Sequence, residues 1–379
     1  MRIVFTGGGT GGHFYPIIAV AEEIQKIVKE RKIIQPELYF FAPAPFDERI
    51  LFENNITFIQ TPAGKMRRYF SVMNFLDIFK TFFGIVDTLF KLYSVYPDVV
   101  VSKGGYGAVP TLMASRILGI PVILHDSDAT PGRATLLAAP FAKKIALSYN
   151  DALEHLPEKV KEKTAVIGNP VREGVRNPAR DGAHEFLELE KNIPTILILG
   201  GSTGSEKIND TVLTALPQLI SKYQVVHQTG EKNFEVIRDT ARVILEQNER
   251  RYRYKSFGFL SSLALKMAAG AADVVVSRAG SGSIFEIAAW GKASIIIPIP
   301  ESVSRDQRVN AFAYAHAGAT VVIEQGNLSP NILVAEIDRL FTNPKARTDM
   351  AEAAKKFAKP DAAHALATAV LDTALEHET

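Results

Sequence analysis

The sequence predicts an α/β protein of two doubly wound parallel-sheet domains facing a central cleft. Short β-branched runs alternate with longer helix-like stretches along most of the chain. Each half also opens on a strand, a glycine-rich turn and a helix. Residues 3–5 lead into Thr6-Gly7-Gly8-Gly9-Thr10-Gly11-Gly12-His13, and residues 195–199 lead into Gly200-Gly201-Ser202-Thr203-Gly204-Ser205. The length, 379 residues, is long for one domain and comfortable for two.

The first strand, 3–5, enters the glycine loop, and a helix follows over 17–29 with Pro16 in its first turn, where the missing N–H costs nothing. Glycines there leave no side chains between the backbone and a docking group. Free N–H groups and the positive helix end favour an anion. His13, titratable near neutrality, stands at the mouth of that loop. Strands are expected at 38–41 and 57–60, then at 98–102, a β-branched run typical of a buried parallel strand. The last opens into Lys103-Gly104-Gly105-Tyr106-Gly107-Ala108 and a helix over 110–118. Strands 121–125, 145–148 and 165–167 continue the alternation until Gly168-Asn169-Pro170-Val171-Arg172 interrupts it. The domain boundary falls there, ahead of the polar stretch 173–192. The second series has strands 195–199, 224–228 and 273–277, the last followed by Arg278-Ala279-Gly280-Ser281-Gly282-Ser283 and a helix over 284–290. Strands 294–299 and 321–324 complete it, and helices over 333–341, 346–357 and 362–377 end the chain. Ligands of such sheets lie at the carboxyl ends of the strands, so the cleft is the expected site.

Composition narrows the function. A net charge of +2 gives no polyelectrolyte character and no expectation of nucleic acid. The absence of cysteine excludes disulfides, thiolate metal sites and thiol nucleophiles, and fits a reducing compartment. No apolar run reaches the ~20 residues needed to span a bilayer, and Met1-Arg2 leads straight into a strand, so no secretory leader is expected. The stretch 65–93 stands apart: Phe70, Phe75, Phe79, Phe82, Phe83 and Phe90 follow Lys65, Arg67 and Arg68. It reads either as a pair of core helices or as an apolar surface with a basic edge that meets an anionic membrane.

Several motifs carry chemistry, each beside a plainer reading. Gly7-x-Gly9-x-x-Gly12 has dinucleotide spacing, but the second strand ends in Ala42-Pro43-Ala44-Pro45, without the acid that would hold a ribose. His13 fits a general base beside a phosphate loop, or else a structural histidine. Asp126-Ser127-Asp128 reads as a weak divalent-cation pair or as a turn with a helix cap. Arg172 is a phosphate clamp or a surface charge, and Glu286 a ribose acceptor or a favourable charge near a helix start.

Together these motifs resemble the MurG family of peptidoglycan N-acetylglucosaminyltransferases, in glycosyltransferase family 28. The resemblance runs from Gly7 to about Leu333 and rests on the four glycine loops, Gly168-Asn169-Pro170-Val171-Arg172, His227-Gln228-Thr229-Gly230, Glu286, Asp306-Gln307 and Asn310-Ala311. It implies a GT-B fold of two Rossmann-like domains, 1–172 plus 346–379 for acceptor and membrane and 173–345 for the UDP-sugar. It implies inverting transfer of N-acetylglucosamine from UDP-N-acetylglucosamine to the 4-hydroxyl of the muramyl sugar of lipid I, with His13 taking the proton and no cofactor or metal.

On the donor the resemblance places Thr10, Gly11, Gly12, Asp128, Arg172, Ser202, Leu260, Ser281, Gly282, Ser283, Glu286, Asp306 and Gln307. On the undecaprenyl-pyrophosphate-linked acceptor it places Gly9, Gly104, Gly105, Tyr106 and Asp126. Arg67, Arg68, Phe70, Phe75, Phe79 and Phe82 would meet the membrane at its cytoplasmic face, where cell-wall synthesis proteins are possible partners. Two positions depart from the family: His125-Asp126-Ser127-Asp128 replaces the usual His-Glu-Gln-Asn, and Asp306 replaces Gln or His. A diacylglycerol glycosyltransferase, a UDP-sugar epimerase and a non-catalytic membrane scaffold are the alternatives.

Overall fold

The computed structural model describes residues 1–8, 10–64, 72–201 and 203–376, with the backbone alone at 72–76, 78 and 305. Gly9, Arg67, Arg68, Phe70 and Ser202, named above as site residues, lie outside the described residues, as does the side chain of Phe75. The chain forms two compact units, Met1–Arg172 with Lys359–Thr379, and Glu173–Ala358.

The first unit carries a seven-stranded parallel sheet. Its strands are β1 (Arg2–Thr6), β2 (Glu37–Ala42), β3 (Ile56–Gln60), β4 (Val99–Ser102), β5 (Val122–Asp126), β6 (Lys144–Leu147) and β7 (Thr164–Val166). Their order is β3-β2-β1-β4-β5-β6-β7, so the winding reverses between β1 and β4. Thr6 pairs with Ser102 at the ends of these two strands, and the Lys103 N–H donates to the Thr6 carbonyl at 2.9 Å. The two glycine-rich loops therefore leave the sheet side by side, at the position where doubly wound sheets bind ligands. β4 and β5 are buried along their whole length, as a sheet covered on both faces requires.

The second unit repeats the plan with six parallel strands. They are β8 (Thr195–Leu199), β9 (Gln224–Gln228), β10 (Tyr254–Phe257), β11 (Val274–Arg278), β12 (Ala293–Ile297) and β13 (Val321–Val322), in the order β10-β9-β8-β11-β12-β13. The reversal falls between β8 and β11, where Leu199 pairs with Ser277.

Four expectations are corrected. The first helix spans Gly11–Arg31, so His13 lies inside its first turn rather than ahead of it. β10 was not expected; its Tyr-Lys-Ser-Phe is half-buried and has no β-branched run. The segment 346–358 belongs to the second unit and not the first. Its helix, Pro344–Phe357, packs Phe357 against Phe285 and Tyr314, with ring centroids 5.3 and 4.9 Å apart. Finally, the aromatic segment holds one long helix, Val72–Val95, not a pair of core helices. Gly84, Thr88 and Leu92 face inward at helical spacing, while Phe82, Phe83, Phe90 and Tyr93 are 60–73% exposed on other faces. A Cβ at Gly84 would lie 1.9 Å from the Pro62 carbonyl, so only glycine lets this helix approach so closely.

The final helix, Ala362–Leu375, returns to the first unit and buries Leu366, Val370 and Leu371 in the same core as Ile17, Ile24 and Val28 of the first helix. Leu371→Ala is expected to destabilise this unit by about 2–5 kcal/mol, read by urea unfolding; an unchanged midpoint would show the helix to be dispensable.

Candidate functional site

In the first unit the two glycine loops close on His13. Gly104 and Gly105 have φ of +74° and +80°, which L side chains rarely adopt. A Cβ on Gly105 would stand 2.9 Å from Gly8 Cα and 3.5 Å from His13 Nε2. A Cβ on Gly107 would meet the Gly7 carbonyl at 2.9 Å. The backbones thus approach with no room for side chains, and the half-buried imidazole is the group between them.

Thr10 is the residue before the helix, but its hydroxyl does not cap it. The Thr10 Oγ1 lies 2.8 Å from His13 Nδ1, and the Thr10 carbonyl accepts from the N–H groups of His13 and Phe14 at 3.0 and 3.1 Å. The Gly11 and Gly12 N–H groups head the helix, ahead of its first internal bonds. No acidic residue lies in that turn, so the helix end keeps its positive potential.

Behind this loop lies a polar centre that sequence reasoning missed. The buried Lys103 ammonium donates to Ser127 Oγ at 2.5 Å, to Asn169 Oδ1 at 3.1 Å, and to His125 Nδ1. His125 Nε2 donates to the Gly168 carbonyl at 2.9 Å, which fixes the tautomer and leaves Nδ1 as the acceptor. Burial pushes Lys103 down to about 7, against the pull of Asp126 and Asp128. Burial, then the Lys103 charge, holds His125 well below the ordinary histidine range. The same two causes push His13 down to about 4, with Asp126 opposing. The signal was present as a lysine inside a glycine loop and a histidine ending a buried strand, but the members come from three separate segments.

Asp126 is placed as a brace. Its Oδ1 accepts from the Asp128 N–H at 3.2 Å and its Oδ2 from the Gly132 N–H at 2.9 Å, so the carboxylate shapes the turn after β5. Among the described residues no group of three or more metal-ligating side chains comes together. Tyr106 begins a short 3₁₀ turn after Gly105 and is 37% exposed. Arg172, which ends the N-terminal segment of the first unit, lies with its guanidinium carbon 4.0 Å from the ring centroid of Tyr15, two residues beyond His13. Thr10, Gly11, Gly12, Asp128 and Arg172 therefore all stand in the first unit, beside Gly104, Gly105, Tyr106 and Asp126.

In the second unit the described residues Leu260, Ser281, Gly282, Ser283, Glu286, Asp306 and Gln307 all follow the carboxyl ends of strands. Gly280 leads the helix Ser281–Trp290 without a side-chain cap, and a Cβ at Gly280 or Gly282 would meet nothing within 4 Å. Ser281 is buried, and Ser283 and Glu286 are half-buried on the same helix. Asp306 and Gln307 lie in the first turn of the helix Arg305–His316, where Gln307 Oε1 accepts from the Ile299 N–H at 3.3 Å. Gln228 ties Leu260 to the third glycine loop: its Oε1 accepts from the Leu260 N–H at 3.3 Å, and its Nε2 donates to the Gly201 carbonyl at 3.1 Å.

Buried Arg278 binds this rim together. It donates to the carbonyl of Ile297 at 3.1 Å, to Ser205 Oγ at 2.5 Å and to Gln325 Oε1 at 2.6 Å. His227 is structural: it bonds Tyr254 at 2.9 Å and Asn209 at 3.1 Å, and burial pushes it down to about 3.

Two glycines separate loop packing from open space. Gly204 has φ +77° and a Cβ there would lie 2.2 Å from the Thr229 carbonyl. Gly204→Ala is expected to cost the second unit at least about 2 kcal/mol, whereas Gly282→Ala leaves its thermal midpoint unchanged. Equal midpoints for the two variants would contradict this packing.

Comparison with known proteins agrees with this geometry. Residues 3–147 match the glycosyltransferase family 28 N-terminal domain and residues 195–366 its C-terminal domain. A UDP-N-acetylglucosamine--N-acetylmuramyl-(pentapeptide) pyrophosphoryl-undecaprenol N-acetylglucosamine transferase of Treponema denticola is 35% identical, covering 88% of this chain and 86% of its own. The protein of the same name from Halothermothrix orenii is 35% identical over 99% of both chains. In fold, the chain is similar to the crystal structure of Acinetobacter baumannii MurG, with a TM-score of 0.73, 24% identity, and 98% and 99% of the two chains covered. By its matched domains and its full-length relatives, the chain belongs to glycosyltransferase family 28.

Proposed function

We propose that this protein transfers N-acetylglucosamine from UDP-N-acetylglucosamine to the muramyl sugar of a pyrophosphoryl-undecaprenol-linked acceptor, forming lipid II. The observation that carries this reading is the His13 imidazole set between two side-chain-free loops at the switch point of the first sheet. Loops of this kind accept a diphosphate on backbone N–H groups, and the imidazole then stands beside the sugar that follows it. In the second unit, the uncapped Gly280–Ser283 helix start and the open space at Gly282 suit the donor's diphosphate. Glu286, one turn further on, suits its ribose, and Asp306 with Gln307 suits the sugar hydroxyls.

The chemistry is one displacement. The acceptor 4-hydroxyl forms a bond to the anomeric carbon as the bond to UDP breaks, and the hydroxyl proton passes to His13 Nε2. This requires the tautomer whose Nδ1–H donates to Thr10 Oγ1, across the observed 2.8 Å contact. Because His13 is pushed down to about 4, the imidazole is unprotonated at neutral pH, the state in which a base begins the step. The negative charge growing on UDP is met by the Gly280–Ser283 helix start.

Labelled UDP-N-acetylglucosamine and a short-chain lipid I analogue should yield labelled disaccharide and UDP; UDP release without transfer, or isomerised donor in the absence of acceptor, would contradict the reading. His13→Ala should lower kcat by about 10²-fold or more with donor affinity retained, and an unchanged kcat would remove His13 as the base.

Among the described residues no helix is long and apolar enough to cross a membrane. The exposed Phe82, Phe83 and Phe90 of the helix Val72–Val95 instead suit insertion into the edge of an anionic bilayer at its cytoplasmic face, where the acceptor lipid resides. Replacing these three by serine should abolish co-sedimentation with phosphatidylglycerol vesicles while leaving transfer to a soluble acceptor intact; undiminished sedimentation would contradict this.

A further inference from the structure

Lys103 is costly where it stands. The residue is 3% exposed, and all its hydrogen-bond partners among the described residues, His125, Ser127 and Asn169, are neutral. A buried cation without a bonded carboxylate is a poor way to gain stability. Asn169 turns its Oδ1 to this ammonium and to Ser127 Oγ, at 3.1 Å each, and its buried Nδ2 finds no partner among the described residues. An unpaired buried N–H costs a further ~1–3 kcal/mol.

Its place in the fold gives the cation a use. The Lys103 backbone is tied to Thr6, the last residue of β1, and the position of a Cβ on Gly7 is 3.5 Å from both Lys103 Cβ and His13 Cβ. We propose that Lys103 is a positioning residue whose ammonium ties the second glycine loop to His125, Ser127 and Asn169 and whose charge, beside the burial of the ring, disfavours the protonated form of His13.

The other charged groups around His13 are accounted for. Asp126 opposes Lys103, but both its oxygens are engaged by backbone N–H groups of the turn it braces. Asp128 follows in the same turn. Arg172 is stacked on Tyr15, and Asp47 caps its own helix at the Ile50 N–H, 3.1 Å away. Lys103 is the group whose charge disfavours the imidazolium.

The kinetic side of this inference rests on His13 being the base, so the deciding experiment reads the imidazole itself. Full-length protein labelled with ¹³C-histidine is titrated by NMR, with the His13 ring signal assigned by its loss in His13→Ala. Lys103→Met should raise the His13 midpoint by roughly one pH unit, and the acid limb of kcat/KM should move up with it. Removing a positive charge makes protonation easier, which sets this sign. Lys103→Gln, which keeps a donor for the neutral partners without the charge, carries the same expectation should the methionine variant fail to fold. A His13 midpoint unchanged in a folded, charge-free variant overturns the proposal. A fully active His13→Ala would instead overturn the base assignment, and the NMR shift would still decide the role of Lys103.

Discussion

The first unit depends on one close approach: Gly8 against Gly105, with no space for a Cβ between them. Everything that shapes the candidate site follows from it. The reversal of strand order places β1 and β4 side by side, the Thr6–Ser102 register starts both loops at the same height, and left-handed backbone at Gly104 and Gly105 folds the second loop over the first. What remains between the loops is an imidazole with one nitrogen turned to Thr10 and the other beside Gly105. A larger residue at Gly105 would part the loops.

The second unit uses the same topology for a different balance of forces. Its two loops at the reversal are joined by a buried arginine: Arg278 reaches Ser205, the cap of the helix Glu206–Lys222, and the carbonyl that ends β12. Five donors on a rigid planar group suit a span across several segments. Lysine, a point charge, suits a compact cluster. The helix start at Gly280 is left open, which fits a unit that receives a ligand rather than one that aligns a base.

Much of the sheet architecture was legible because fully buried parallel strands are written as β-branched runs: 98–102, 195–199 and 273–277 stand out for that reason. β10 did not, since Tyr254–Phe257 is half-buried and carries a lysine and a serine. The early start of the first helix was hidden by Gly11 and Gly12, which are poor helix formers. The glycine loops and His13 were legible as motifs. The polar centre behind them was not, because Lys103, His125 and Asn169 meet only once β4, β5 and the segment after β7 are aligned. Nor could periodicity alone tell which phenylalanines of the helix Val72–Val95 would face outward; Gly84, Thr88 and Leu92 settle that by packing inward.

In the proposed reaction a single neutral imidazole, set by those two loops, serves a one-step displacement. The anomeric configuration of the product tests it most directly. With the α-linked donor and a soluble acceptor, proton NMR of the new glycosidic bond should show the β anomer. An α-linked product would require two successive displacements or front-face attack, and would contradict the account.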